Sequence, residues 1–376
     1  MERVKVGVIG CGNICRQYFE RAKQFPILEM AACADLVPER AKEAAEKYDV
    51  PRACTVDELL ADREIEIVLN LTIPAAHAPI SLRAIEAGKH VYVEKPLATT
   101  ITEGQHLLDA AGKAGLRVGG APDTFLGTSH QLCRQLIDDG AIGQPVAATA
   151  FFLSRGPEPW HPDPAFFYKP GGGPMFDMGP YYLTALINLL GPIRRVAGAA
   201  GMQITDRVVG KGPKQGQKLD VETPDHVTGL IDFAGGAIGT IVTSFATLFP
   251  QHSGENPITI YGSEGTLAVP DPNRFDGPVK LRRADDDDWQ TLTPEHDHPN
   301  GRSLGLAEMA QAIRAERPHR ASGELMFSVL HAMASFLATS DAERYQHLPE
   351  HAAVRPAMMP AGLGASGELE AAVATQ

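Results

Sequence analysis

The chain has 376 residues, enough for about two domains, and its 44% hydrophobic and 21% charged content is that of an ordinary globular protein. Its 34 basic and 46 acidic residues give a net charge of −12 and a pI near 5.5, which argues against non-specific binding to nucleic acid or to an anionic membrane surface. No apolar run approaches the roughly 20 residues of a membrane span, the N-terminus runs into a strand pattern and not a secretory signal, and Cys11, Cys15, Cys33, Cys54 and Cys133 form no metal-type pairs, so reduced thiols in a cytoplasmic protein are expected.

A β-branched run predicts a strand over 4–9, turned by Gly10–Cys15 into a helix over 16–23. A second strand over 28–34 ends at Asp35, and a helix over 38–47 begins at a proline. Strand 65–70, helix 75–87 closed by Gly88, strand 90–93, helix 102–115 and strand 116–118 continue the alternation. Strands and helices in strict turn call for a doubly wound parallel sheet over residues 1–122.

The pattern then changes. A helix over 129–139 and a strand over 146–153 precede a Pro- and aromatic-rich loop over 156–170. Gly171-Gly172-Gly173 leads into an apolar helix reaching about 190. Strands follow over 226–233, 237–245, 257–261 and 266–269, the first two joined by a Gly235-Gly236 hairpin turn. Asp285 to Asp288 reads as a solvated loop, and helices are predicted over 304–314 and 325–337. Residues 123–345 are therefore expected to form an α+β domain with a large, mostly antiparallel open sheet. Residues 346–376 are expected to be a partly disordered tail.

The first domain carries the chemistry that spacing alone can locate. Gly10-x-Gly12-x-x-Cys15 follows a strand and opens a helix, a dinucleotide loop with a small thiol at the third glycine position. Gly12, Asn13 and Ile14 are candidates to cradle phosphates. Asp35 would accept hydrogen bonds from ribose hydroxyls and repel a 2′-phosphate, favouring NAD while leaving NADP possible. Thr72 and Pro74, after the third strand, are candidates to line the phosphates and the nicotinamide ribose. His77 is included with them, although it reads first as a helix-surface histidine. Glu94-Lys95-Pro96 ends the fourth strand on a stiff turn, where an ammonium can exchange a proton with a substrate hydroxyl. Asp177 and Tyr181, spaced i, i+4, share a helix face suited to a polyhydroxylated ligand. His161 and Tyr168 stand in the aromatic loop, which suits either a sugar wall or a subunit contact. His296-x-His298 hints at a metal, but a solvated loop is the preferred reading and no metal is assigned.

Taken together, Gly10-Cys11-Gly12, Ala32-Cys33-Ala34-Asp35, the run from Ala87 through Glu94-Lys95-Pro96-Leu97, Gly140-Ala141-Ile142-Gly143 and the stretch from Gly171 to Asp177 resemble the Gfo/Idh/MocA oxidoreductase family over about residues 3–340. The resemblance implies a Rossmann domain, a second domain whose open sheet builds a homodimer or homotetramer, and hydride transfer between NAD(P) and a sugar, polyol or related small molecule. It implies that Lys95 and Asp177 meet the substrate, with Glu94 and Pro96 beside the cofactor. On the reading preferred here, loops 122–127 (Asp123, Phe125) and 156–170 are expected to shape specificity. A histidine normally stands four residues after the aspartate. This chain has Tyr181 there, with Tyr182 next.

Three acid/base assignments are open. Tyr181 could exchange the proton, Lys95 could act with Tyr181 assisting, or His161 could supply the missing imidazole. The second is preferred. Two rival functions are also open: transient redox on tightly held NAD for glycoside cleavage or elimination, and a catalytically silent NAD-binding regulator.

Overall fold

The computed structural model describes residues 2–250, 253–294, 300–342, 344–349 and 355–359. The chain divides into two compact units, one of Met1–Thr128, Glu295–Phe327 and Pro356–Gln376, the other of Ser129–Pro294 and Ser328–Arg355.

In the first unit the order is β1 (Val4–Ile9), α1 (Cys15–Ala22), β2 (Leu28–Ala34), α2 (Pro38–Tyr48), β3 (Ala53–Cys54), α3 (Val56–Ala61), β4 (Ile67–Asn70), α4 (Pro74–Glu86), β5 (His90–Val93), α5 (Ile101–Ala114) and β6 (Val118–Gly120). The strands form one parallel sheet in the order β3-β2-β1-β4-β5-β6. Its central strands are buried on both faces (Val4, Val6, Val8, Val68, Leu69, Val91 and Val93 are all 0% exposed), which is why they read as continuous apolar runs. Strand register pairs Ala34 with Ile9, Ile9 with Asn70, Asn70 with Val93 and Val93 with Gly120. The residues that follow, Asp35, Gly10, Leu71, Glu94 and Ala121, therefore begin their turns along one rim. The order reverses between β1 and β4, and the crevice of such a sheet opens there.

Two elements here were not anticipated. β3 and α3 stand outside the alternation that periodicity predicts, although Thr55 and Glu58 form a complete capping box, a signature legible in the sequence. The last strand runs through Gly119 and Gly120 instead of starting at Leu116, because Val118 is the residue that pairs with Val91.

The expected break at residue 122 is replaced by a discontinuous first unit. After residue 294 the chain returns to this unit with a helix over Leu304–Arg314, and long-range polar contacts hold it there. Asp123 is fully buried, accepts the Gly305 amide at 2.9 Å and pairs with Arg302 at 3.4 Å. Arg314 makes a two-pronged pair with Glu66 at 2.7 Å. Ser322 bridges to Gly119 of the sheet.

The second unit contains α6 (Thr128–Asp138, its first residue excepted), β7 (Pro145–Leu153), α7 (Gly173–Leu190), β8 (Ile193–Gly201), β9 (Arg207–Val208), β10 (Lys218–Leu219), β11 (His226–Phe233), β12 (Ile238–Ser244), β13 (Ile258–Gly262), β14 (Gly265–Val269), β15 (Val279–Arg283) and β16 (Gln290–Leu292). After them come α8 (Leu304–Arg314), α9 (Gly323–Ala342) and β17 (Gln346–His347). A nine-stranded sheet has the order β16-β15-β14-β13-β7-β12-β11-β8-β17, antiparallel except where β7 pairs with β12. The four acids Asp285–Asp288 form the turn of the β15–β16 hairpin, where Asp286 accepts the Arg283 amide at 2.8 Å. α7 packs on one face. On the sheet, Leu230 (44%), Ile238 (61%) and Tyr261 (42%) remain exposed.

The expected tail begins inside this sheet, as β17 on β8; the stretch 360–376 lies outside the described residues, as do His296 and His298. α9 also corrects the reading that no run approaches a membrane span. It is long and apolar enough by length and composition, but most of it is buried, as in a core helix.

Glu308 on α8 is fully buried and holds Arg317 and Arg320, each at 2.6 Å. Removing one partner of a buried pair leaves the other side's charge uncompensated, so Glu308→Leu is expected to lower unfolding stability by about 3 kcal/mol, read by denaturant titration.

Candidate active site on the first unit

β1 must leave the sheet by passing under the turn after β4. Gly10 does so at φ +103°, where a Cβ would stand 2.7 Å from the Leu71 carbonyl and 2.9 Å from the Thr72 nitrogen, so no side chain fits. Gly12 meets nothing within 4 Å, and Gly12 and Asn13 are exposed, so this loop leaves open space above it. Ile14 sits at the N-cap of α1 and supplies no side-chain cap, so the first-turn amides are not capped by this residue. Cys15 is buried, and burial pushes its thiol up to about 11, so a small neutral group stands where the helix packs closely on the strand.

Asp35 is half-exposed and fixed in place: Oδ2 accepts the Cys11 amide at 2.8 Å and Oδ1 the Val37 amide at 2.9 Å. It presents a rigid carboxylate on the rim with acceptor capacity to spare. A glycine cradle, an open loop and a held acid fit the pyrophosphate and adenosine ribose of NAD. The acid disfavours the extra phosphate of NADP.

Asn70 ends β4 and shapes the next turn. Its Nδ2 donates to the His77 carbonyl (3.0 Å) and the Ser81 hydroxyl (3.1 Å), while Oδ1 accepts the Thr72 amide (3.2 Å) and hydroxyl (2.7 Å). Thr72 and Pro74, both half-buried, are thereby placed on the rim, with Pro74 opening α4. Beside them, Glu94 is buried and accepts the Tyr18 hydroxyl at 2.8 Å and the Lys95 amide at 2.9 Å. Burial, with Glu94 beside it, pushes the Tyr18 phenol well up, so it stays a neutral donor. Lys95 is half-buried, and the Lys95–Pro96 peptide is cis.

His77 is not on the helix surface. It is 1% exposed, with Nδ1 2.6 Å from the Pro96 carbonyl and Nε2 3.0 Å from the Thr72 carbonyl, so it reaches the site only through those two turns and not by touching a ligand. Burial is the main influence holding its pKa below the usual value. Tyr18 and Asn70 were not singled out from the sequence. A polar residue closing the apolar run of β4 was a signal for Asn70; nothing local marks Tyr18.

The remaining candidates separate. Asp123 is locked in its ion pair, burial pushing its carboxyl up, and Phe125 is 1% exposed; both belong to the core of the first unit and not to a specificity loop. In the second unit Asp177 is half-buried on α7, with Tyr181 (5% exposed) one turn further on the same side. Tyr182 is turned to the core, its hydroxyl 3.3 Å from the Phe151 carbonyl. Tyr168 is fully buried: it donates to Glu158 at 2.6 Å and accepts from Arg207 at 2.9 Å, so its polar end faces a structural network and not a ligand. His161 is half-buried among Trp160, Phe166 and Phe167, and its Nδ1 accepts the Asp163 amide. Among the described residues no group of three His, Cys, Asp or Glu is placed to hold a metal.

A parallel sheet of this order, with a glycine cradle after β1, an acid after β2 and a lysine after β5, defines an NAD-binding oxidoreductase domain. Residues 4–120 match the oxidoreductase family described as an NAD-binding Rossmann fold, and residues 130–268 match the GFO/IDH/MocA C-terminal domain. The chain belongs to the Gfo/Idh/MocA oxidoreductase family. It is 30% identical to the dTDP-3,4-didehydro-2,6-dideoxy-alpha-D-glucose 3-reductase of Streptomyces violaceoruber, over 83% of this chain and 85% of that protein. It is 28% identical to the 1,5-anhydro-D-fructose reductase of Ensifer adhaerens, over 85% and 90%. The solved structure of a levoglucosan dehydrogenase with NADH and L-sorbose shares the fold, with a TM-score of 0.79 and 22% identity over 93% of this chain and 100% of that one.

Two substitutions test the cradle. Gly10→Ala is expected to abolish NAD binding, measured by calorimetry. Asp35→Ala should weaken NAD binding about tenfold, by removing a charged acceptor, while NADP binding holds or tightens.

Proposed function

We propose that this enzyme moves hydride between NAD and a carbinol or carbonyl carbon of a sugar, polyol or sugar-derived substrate. The observation that carries the reading is the aligned rim of one parallel sheet, which presents the acid Asp35, the glycine turn at Gly10 and the lysine-bearing turn at Glu94–Pro96 side by side. The printed activities of the relatives, reductases of a dTDP-linked deoxysugar and of anhydrofructose, support a carbohydrate-like substrate.

In this reading NAD supplies the hydride acceptor or donor. Lys95 holds a proton at the reacting oxygen, giving it to the developing alkoxide in reduction and taking it, as the amine, in oxidation. Asp177 hydrogen-bonds a neighbouring hydroxyl, and Tyr181 assists by orienting the substrate. His161 remains a candidate wall of the substrate loop. The exposed residues of the nine-stranded sheet, Leu230, Ile238 and Tyr261, support a second copy of the chain on that face, in a homodimer or homotetramer. The five free cysteines support a reducing, cytoplasmic setting.

The test is absorbance at 340 nm with NAD and NADP across aldoses, inositols, sugar acids and anhydrosugars. Turnover with NAD is expected, falling about 100-fold or more in Lys95→Ala. Tyr181→Phe is expected to cost less than about tenfold; an equal loss would move the proton transfer to the phenol. Absence of turnover on every class, with NAD bound, would refute net sugar oxidation or reduction.

A further inference from the structure

We propose that His77 is the positioning residue for the lysine-bearing turn, its Nδ1–H donating to the Pro96 carbonyl so that the turns after β4 and β5 are held as one piece. Both ring nitrogens face carbonyl oxygens, Nδ1 that of Pro96 at 2.6 Å and Nε2 that of Thr72 at 3.0 Å, and a neutral ring donates from only one of them. The shorter contact assigns the proton to Nδ1. Without that donor the Pro96 carbonyl would lack this partner beside a buried ring.

The ring stands on a fixed base. His77 lies in the first turn of α4, and its own carbonyl accepts Asn70 Nδ2 at the end of β4. It thus transmits the position of β4 to the residue immediately after Lys95. Proline has no N–H, so its carbonyl is the only polar main-chain handle at position 96. On the other side, the Lys95 amide is held by Glu94, itself held by Tyr18 on α1. The main chain flanking Lys95 is therefore fixed from α1 through Glu94 and from α4 through His77. The charged groups facing the ring are Glu94, which favours its protonation, and Lys95, which opposes it.

The kinetic part of this inference rests on Lys95 exchanging the substrate proton; the clamp itself does not. Two measurements keep them apart. Ring-15N-histidine NMR of the wild-type protein, with His77 assigned by comparison with His77→Asn, reads the clamp without any turnover. A proton on Nδ1, with or without one on Nε2, is expected; a proton on Nε2 alone overturns the proposal. Single-turnover hydride transfer is then compared with NAD dissociation constants in His77→Leu and His77→Asn. The expected result is a fall in rate of about tenfold or more in the leucine variant, partial recovery in asparagine, and NAD binding within about threefold of wild type. An unchanged rate, or a loss of NAD affinity matching the loss of rate, overturns positioning of Lys95. Should His77→Leu fail to fold, the asparagine variant and the NMR tautomer decide between the two outcomes. Wild-type protein that turns over no sugar would refute the proposed function and leave the tautomer measurement to judge the clamp.

Discussion

Everything on the rim depends on β1 being flanked by both β2 and β4. That pairing forces the chain leaving β1 to pass beneath the turn leaving β4, and Gly10 is the residue that permits it. Once β1 is seated, register alone brings Asp35, Gly10, Thr72 and Glu94 to neighbouring positions, although they lie far apart in the chain. Side-chain hydrogen bonds then tighten what register has placed: Cys11 to Asp35, Thr72 to Asn70, and Lys95 to Glu94. The site is a property of strand ends, and its precision comes from carboxylates and amides that fold back on their own turns.

Much of this was legible because a parallel sheet buried on both faces leaves a blunt signal. The apolar runs of β1, β4 and β5 stand out, and the residues that close them are where the chemistry falls. Asp35 and Lys95 could be placed on the rim from spacing alone. His77 was misplaced because a helix histidine is usually solvated, and nothing local says that two carbonyls from separate turns will converge on it. Asp123, Tyr168 and Tyr182 were misread for the reverse reason. Polar groups in loops, or on a helix beside a candidate site, suggest a ligand, but here their partners are Arg302, Glu158, Arg207 and the Phe151 carbonyl.

Where distant segments must meet, this protein uses buried charge. Arg207 joins Glu158 (2.5 Å) and Asp225 (2.7 Å), tying the aromatic loop to the sheet; Glu308 gathers Arg317 and Arg320; Asp123 receives Arg302. Such pairs add little to stability relative to apolar packing, but a wrong neighbour would leave a bare charge in a dry interior. They are also invisible to periodicity, because the separation of the partners follows no helix or strand period and ranges from 9 to 179 residues.

The discontinuity of the first unit has a consequence for how the molecule is made. Its sheet is complete once Gly120 has been synthesised, but Arg302, Gly305, Arg314 and Ser322, which close it, follow only after the whole stretch 129–294. At ordinary elongation speeds that interval is on the order of ten seconds or more. During it, the nascent sheet carries Asp123 and Glu66 without their partners, while most strands of the second unit can already be pairing. Most strands of the second unit thus have the opportunity to order before the nucleotide-binding half is closed, and the second unit is itself completed only by Ser328–Arg355.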